Sequence, residues 1–455
     1  MFSEEKMGRR ILLRIIIINL FLIANSILWG LGLYNNGCPH QTVLDNEQPF
    51  VPGQIIIKAR YDEIIALLWL CPIKNAIMYR PEILLMHKYA ADIKAVKSFP
   101  IDRYWLVETN DNCDIQLLQE QLLNDPLVED ASLNYIASIT AIPPSDPDFI
   151  YQYALYNYGQ VFNPEGNMQG TSGSDIKALG GWDWSTGGAE IIIAILDSGV
   201  ATNHEDLVNQ VIPGYNFVYD NNNIYDDHGH GTFVASIAAA ETDNGKGMAG
   251  VSWHSKIMPI KVVSSAGQGT YADIALGIRY AADQGAQVLN LSLGGTNPSF
   301  ILEDACRYAF EKGCVIAVAS GNNGGRVLYP AAYDSYCLAV AATDANDTRA
   351  SFSNFGSEVD VAAPGVFVFG ALFSPSEPGI LNNYGWGSGT SFSTPYVAGA
   401  AALLLHYKPF LTNNQVMDLL RFTADDVNNS IYPGVDAFLG YGRINLATLL
   451  GPYNL

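Results

Sequence analysis

The sequence predicts an α/β fold, a doubly wound and mainly parallel sheet with helices on both faces, preceded by a small α+β unit. Three observations predict it. Continuous apolar runs alternate with helical patterns through the long C-terminal part, as in sheets buried on both faces. Shorter strand and helix signals in a βαββαβ order come before them, and a basic, then apolar, segment opens the chain.

The opening segment sets the compartment. Lys6, Arg9, Arg10 and Arg14 precede an apolar run from Ile15 to Leu33. A charged start followed by apolar residues directs export. The run is long enough to span a bilayer and no small-x-small cleavage site follows, so residues 1–34 read as a signal peptide or as an uncleaved membrane anchor. Asn19, Asn25 and Ser26 favour the signal peptide, and Met7 is an alternative start.

Residues 48–138 carry the smaller unit. Gly53 to Ala59 reads as a strand, Tyr61 to Leu70 as an amphipathic helix, and Ile93 to Thr109 as two strands around Phe99-Pro100-Ile101-Asp102. Asp114 to Leu123 reads as a second helix and Val128 to Ala137 as the last strand, which completes a ferredoxin-like order.

Residues 139–455 carry the larger one. Buried strands are expected at Ile191–Leu196, Ser255–Val262, Val288–Leu293, Cys314–Ala319 and Cys337–Ala342. Helices are expected near His230–Ala240, Tyr271–Gln284, Ile301–Lys312, Ser391–Tyr407 and Asn414–Phe422. Crossover connections then bring the strand ends to one rim, so groups far apart in sequence can meet there.

Three of those groups carry chemistry. Ser391, in Gly389-Thr390-Ser391-Phe392-Ser393-Thr394-Pro395, sits at a helix start, where unpaired N–H groups and the macrodipole stabilise an oxyanion. Pro395 fits a first turn, where its missing N–H costs little. His230 opens a second helix, and Asp197 ends a buried strand where open α/β sheets place ligands. Singly, each has a plainer reading: a helix cap for Ser391, a turn cap for Asp197, a satisfied histidine for His230.

In the order Asp197, His230, Ser391, with their neighbours, the chain resembles the subtilisin-like serine proteases. Asp197-Ser198-Gly199 matches that family's aspartate motif, and His230-Gly231-Thr232 with Val234-Ala235 its histidine motif. Gly389-Thr390-Ser391 with Thr394-Pro395 and Val397-Ala398-Gly399 matches its serine motif. Ala319-Ser320-Gly321-Asn322-Asn323-Gly324 resembles its oxyanion segment, and Gly440 to Asn445 its closing segment. The sequence departs from the pattern at Phe233, where a second histidine is usual, and at Phe392, Ser393 and Tyr396.

The resemblance implies a serine endopeptidase working through an acyl-enzyme, with His230 as base, Asp197 as its orienter and Asn322 as side-chain oxyanion donor. It implies that Ser292, Leu293 and Gly294 pair with an extended polypeptide substrate, and that Ala319, Ser320 and Gly321 form the opposite wall. Neither wall carries an acidic residue, so broad cleavage after apolar or aromatic residues is expected rather than dibasic processing. No cofactor is needed for catalysis. A structural Ca²⁺ is implied at Asp146, Asp206 and Asn244 with the carbonyls of Glu241, Lys246 and Met248, the plainer reading being an acidic, glycine-containing turn. The ferredoxin-like unit is similar to an inhibitory propeptide, beginning at Val51-Pro52-Gly53-Gln54, that acts as an intramolecular inhibitor until cut between about Leu133 and Ser145; the alternative, an independent ferredoxin-like binding domain, is disfavoured by its position directly before the larger unit.

Composition excludes other classes. Of the 455 residues, 49% are hydrophobic and 15% charged, ample for one large globular domain and a smaller one. The net charge is −21, and from Ser145 onward twelve Lys/Arg face twenty-nine Asp/Glu. Nucleic acid is therefore not an expected partner, and a membrane is one only if the N-terminal segment stays attached. Six cysteines do not form a disulfide framework at this length; Cys306, Cys314 and Cys337 are the pairing candidates, and none lies in a catalytic block. The other classes consistent with the sequence are an exported scaffold that binds without catalysis and a membrane-anchored signalling protein. Intact Asp197, His230, Ser391 and Asn322 argue against the first.

Overall fold

The computed structural model describes residues 50–59, 81–98, 104–110, 112–135, 143–163, 168–373 and 383–451. The apolar N-terminal segment, the predicted helix Tyr61–Leu70 and the turn at Phe99–Asp102 lie outside the described residues. Among the described residues no helix is long and apolar enough to cross a membrane. The chain divides into two compact units, Met1–Ala137 and Ser138–Leu455.

In the first unit, β1 (Phe50–Ala59), α1 (Pro81–Lys88), β2 (Ile93–Ser98), β3 (Tyr104–Thr109), α2 (Ile115–Leu123) and β4 (Val128–Tyr135) follow one another. The strands form an antiparallel sheet of order β2-β3-β1-β4, the split arrangement in which β1 and β3 lie side by side at the centre. Alternation decides its covered face. Ile55 and Ile57 stand opposite Val107 and Trp105 on one side and Leu133 and Ala131 on the other, and all six are buried. Ile115, Leu118 and Leu122 of α2 join the same core. Asp114 starts α2 by accepting the N–H groups of Gln116 and Leu117.

The second unit holds β5 (Ile192–Asp197), β6 (Tyr215–Asn216), β7 (Lys256–Lys261), β8 (Val288–Leu291), β9 (Val315–Ala319), β10 (Leu338–Thr343) and β11 (Val359–Pro364). All are parallel, in the order β11-β10-β9-β8-β5-β7-β6. The helices are α3 (Ala178–Trp182), α4 (His230–Ala239), α5 (Tyr271–Asp283), α6 (Phe300–Glu311), α7 (Thr390–Tyr407), α8 (Asn413–Phe422) and α9 (Leu446–Leu450). A hairpin of β12 (Val368–Leu372) and β13 (Asn383–Gly387) leads into α7.

The strands read as unbroken apolar runs because both faces are covered. Ile193, Ile195, Val315, Ala317, Leu338 and Val340 pack with α4 and α7 in one core. Their neighbours Ala194, Leu196, Ile316, Val318, Ala339 and Ala341 pack with α5 and α6 in the other. The predicted parallel sheet with helices on both faces is thus present. Strand order turns at β5, which pairs with β7 on one side and β8 on the other, the kind of switch point at whose carboxyl end open α/β sheets place their ligands.

The sequence reading passed over β6, β11 and the hairpin. A polar residue interrupts β11: Asp360 is buried and accepts from Ala339 N at 2.7 Å and Arg421 Nε at 2.8 Å. Those long-range partners satisfy a carboxylate that local patterning counts against a strand.

Candidate active site

The predicted groups are delivered by strand ends and helix starts along the β5–β8–β9 rim. Asp197, the last residue of β5, is buried; both its carboxylate oxygens receive His230 Nδ1, at 2.8 and 2.9 Å. One oxygen also accepts Ser198 N at 2.7 Å, so the carboxylate caps its own turn as well as holding the imidazole. Close approach of the two segments depends on Gly231, where a Cβ would stand 2.2 Å from Gly199 O. Burial pulls the His230 imidazole toward its neutral form, but the charge and hydrogen bond of Asp197, with the Asp226 charge behind, leave its pKa above the usual histidine value.

Asp226 was not singled out from sequence, yet it closes the start of α4. Its carboxylate accepts the N–H groups of His228, Gly229 and Thr232 and the hydroxyls of Ser198 and Thr232. Ser198 Oγ in turn accepts Gly231 N, which joins the Asp197 turn to the His230 helix. Lys261, almost fully buried, donates to Ser198 O and Asp227 Oδ1 beneath this junction. An aspartate shortly before a glycine-initiated helix, and a lone lysine ending an apolar strand, were the available signals.

Ser391 stands in the first turn of α7. Asn322, just beyond β9, accepts Thr390 N and Thr390 Oγ1 through Oδ1, both at 2.8 Å. Two donors on one atom fix which end of the amide is oxygen, and none of the described residues takes the Asn322 NH₂. Among the described residues none takes the Ser391 N–H. The Ser391 hydroxyl donates to Ser292 O at 3.1 Å, and Ser292 Oγ donates back to Ser391 O at 2.6 Å. No hydrogen bond joins Ser391 to His230 among the described residues.

Pro395 explains that exchange and corrects its own sequence reading. It lies inside α7, beyond the first turn, and lacks the N–H that would bond the carbonyl four residues back. That carbonyl belongs to Ser391. Ser292 Oγ supplies the missing donor, itself held by Asn290 Nδ2 at 3.0 Å.

The two predicted walls differ. Gly295 exchanges both backbone hydrogen bonds with Tyr329, at 2.9 Å each, while none of the described residues takes a backbone group of Leu293 or Gly294. On the other side Ser320 bonds Val340 O and Leu328 N, and Gly321 bonds Asn354 N and Thr390 Oγ1. Ala319 ends β9, buried. One wall has open backbone and the other is closed. Leu328, missed from sequence, fills the space between them: a Cβ on Gly321 would meet its Cγ and Cδ1 at 2.8 Å, and a Cβ on Gly294 its Cβ at 2.9 Å.

The residues expected to hold a cation lie together apart from this rim. Asp206 accepts Asn244 Nδ2, Met248 N and Tyr384 Oη, and Asp146 accepts Asp243 N through Oδ2. Asp146 Oδ1 is buried without a partner, and none of the described residues donates to the carbonyls of Glu241, Lys246 or Met248. Burial, opposed by backbone hydrogen bonds and helped by the Asp206 charge, pushes the Asp146 carboxyl up to about 6. An orphaned carboxylate oxygen beside carbonyls lacking donors fits a hard cation with oxygen ligands, although no group of three or more His, Cys, Asp or Glu side chains converges among the described residues. Among the described residues Cys306, Cys314 and Cys337 are buried free thiols, and burial holds Cys314 up at about 12.

A carboxylate-held imidazole near a serine whose helix start keeps open N–H donors suits nucleophilic acyl transfer. Comparison with known proteins agrees. The profile of the subtilase family, peptidase S8, matches residues 188–442. The thermophilic serine proteinase of Bacillus sp. (strain AK1) is 38% identical over 333 residues, 73% of this chain and 75% of that protein. Thermitase of Thermoactinomyces vulgaris is 41% identical over 271 residues, 59% of this chain and 91% of that protein. Among solved structures, a protease of Pseudoalteromonas arctica PAMC 21717 superposes with a TM-score of 0.58 at 28% identity, covering 68% of this chain and 99% of that one. Sphericase gives 0.52 at 32%, covering 57% and 92%. The chain belongs to the subtilase family of serine proteases.

Proposed function

We propose that this chain is an exported serine endopeptidase, made as a precursor, that cuts polypeptides through an acyl-enzyme. The observation that carries the reading is the double hydrogen bond between Asp197 and His230 Nδ1, which commits the other ring nitrogen, Nε2, to act as base. Ser391 Oγ turns from Ser292 O toward Nε2, loses its proton there and attacks the substrate carbonyl. The Ser391 N–H and the Asn322 NH₂ receive the oxyanion. His230 then protonates the leaving amine, and a water deprotonated by the same nitrogen releases the acyl group.

The open backbone of Leu293 and Gly294 supports binding of the substrate as an added strand. The walls at Ser292–Gly294 and Ala319–Gly321, both without acids, support cleavage after apolar or aromatic residues, with Leu328 setting how large a side chain fits. Asp146, Asp206 and Asn244 with the carbonyls of Glu241, Lys246 and Met248 would hold a Ca²⁺ that braces the 241–248 loop. The residue 48–138 unit is assigned as the chain's own inhibitory propeptide, and the basic-apolar start as the export signal.

The test is the Ser391→Ala chain expressed beside wild type. Wild type is cut near the unit boundary and labelled by a fluorophosphonate, whereas Ser391→Ala accumulates as precursor and stays unlabelled. Equal processing of the two would refute self-cleavage, and failure of folded, processed wild type to label would refute the serine mechanism.

A further inference from the structure

The two aromatic departures from the family pattern meet in space. Phe233 lies one helical turn beyond His230 on α4, and Phe392 directly follows Ser391 on α7. Their ring centroids are 4.3 Å apart, and Phe392 is in turn 5.4 Å from the His230 ring at 37°. The hairpin makes room for them. A Cβ on Gly387 would stand 2.5 Å from Phe392 and 3.1 Å from Phe233, and one on Gly370 would stand 2.5 Å from Phe233. Phe233 is buried, and the His230 side chain keeps 26% of its surface exposed.

Geometry gives this stack a task that Asp197 cannot perform. A carboxylate on Nδ1 fixes one edge of the imidazole but leaves the ring free to tip about that bond. A flat apolar ring beside it blocks the tipping and removes water. We infer that Phe392, backed by Phe233, is a positioning residue that holds and dries the His230 imidazole for proton transfer with Ser391. The inference rests on the serine-protease reading above.

Asp197 on Nδ1 and Asp226 behind it set the imidazole's charge; the other titratable groups around it are His228, whose ring lies 6.3 Å away, and the paired Lys261 and Asp227. Against that background, burial favours the neutral ring. Removing the phenyl ring rehydrates the imidazole, so the proton binds more readily and the acid limb of the rate profile moves to higher pH.

The experiment measures kcat, KM and the pH profile of kcat/KM on a chromogenic peptide for Phe392→Ala, Phe392→Leu, Phe233→Ala and the Phe233→Ala/Phe392→Ala pair, each normalised to fluorophosphonate-titrated sites. Phe392→Ala is expected to lose about tenfold in kcat with KM little changed and to shift the acid limb upward. Phe233→Ala should do the same more weakly, and the pair should fall short of the product of the two losses. Phe392→Leu is smaller and lacks the flat face, so it covers the imidazole only in part; it should fold even if the alanine variant does not, and show a smaller loss in kcat and a smaller upward shift of the acid limb. An unmoved acid limb in the folded variants, or a loss confined to KM, overturns the inference. Wild type that neither labels nor cleaves would instead bring down the serine-protease reading itself.

Discussion

The starts of α4 and α7 are built to opposite ends. At α4 the Asp226 carboxylate gathers the N–H groups of His228, Gly229 and Thr232, so the turn bearing His230 is closed and rigid. At α7 Asn322 takes only Thr390, and none of the described residues takes the Ser391 N–H. That difference suits the roles proposed above: a base is useful where its ring cannot wander, a nucleophile where nearby donors await a charge that forms only during reaction.

The sharpest way to break this contrast is Asn322→Asp. The substitution keeps an acceptor for Thr390 N but removes the NH₂, so kcat should fall by about 10²–10³ with little change in KM. A loss matched by an equal fall in stability would assign Asn322 to capping alone. Next is Asp226→Ala, which strips the clamp from α4. Unfolding in urea should show a loss of about 3 kcal/mol, because several buried donors lose their acceptor, and kcat should drop with it. Unchanged stability would mean that α4 does not need the clamp.

Leu328→Ala leaves both helix starts alone and opens the space between the walls. Peptide-library profiles should shift toward aromatic residues before the cut by about tenfold relative to leucine. An unaltered profile would remove Leu328 from the pocket. Smallest of all is chelation: EDTA should lower the Tm by about 5 °C and restored Ca²⁺ should recover it, with kcat measured at low temperature held constant. A melting curve indifferent to EDTA and Ca²⁺ would leave the 241–248 loop as an ordinary turn.

How much could be read beforehand follows the range of the interactions. β5, β7, β9 and β10 appear in the sequence within a residue or two, since a strand covered on both faces must be apolar throughout. β11 does not, because Asp360 is made acceptable by Ala339 and Arg421. Asp197, His230, Ser391 and Asn322 stand out as motifs with local meaning. Asp226, Lys261 and Leu328 do not, since what each does depends on partners from other segments. Phe233 and Phe392 were visible only as two separate oddities, 159 positions apart in the chain (392 minus 233). Their relation is a property of the packed α4–α7 pair.

Pro395 has a consequence for when the backbone around Ser391 can be completed. Because Pro395 has no N–H for the Ser391 carbonyl four residues back, that carbonyl takes its donor from Ser292 at the end of β8. A chain still assembling, with helix formed but sheet unfinished, would carry its serine in an unsettled backbone. If Ser391 is the nucleophile proposed above, its reactivity would then follow completion of the sheet.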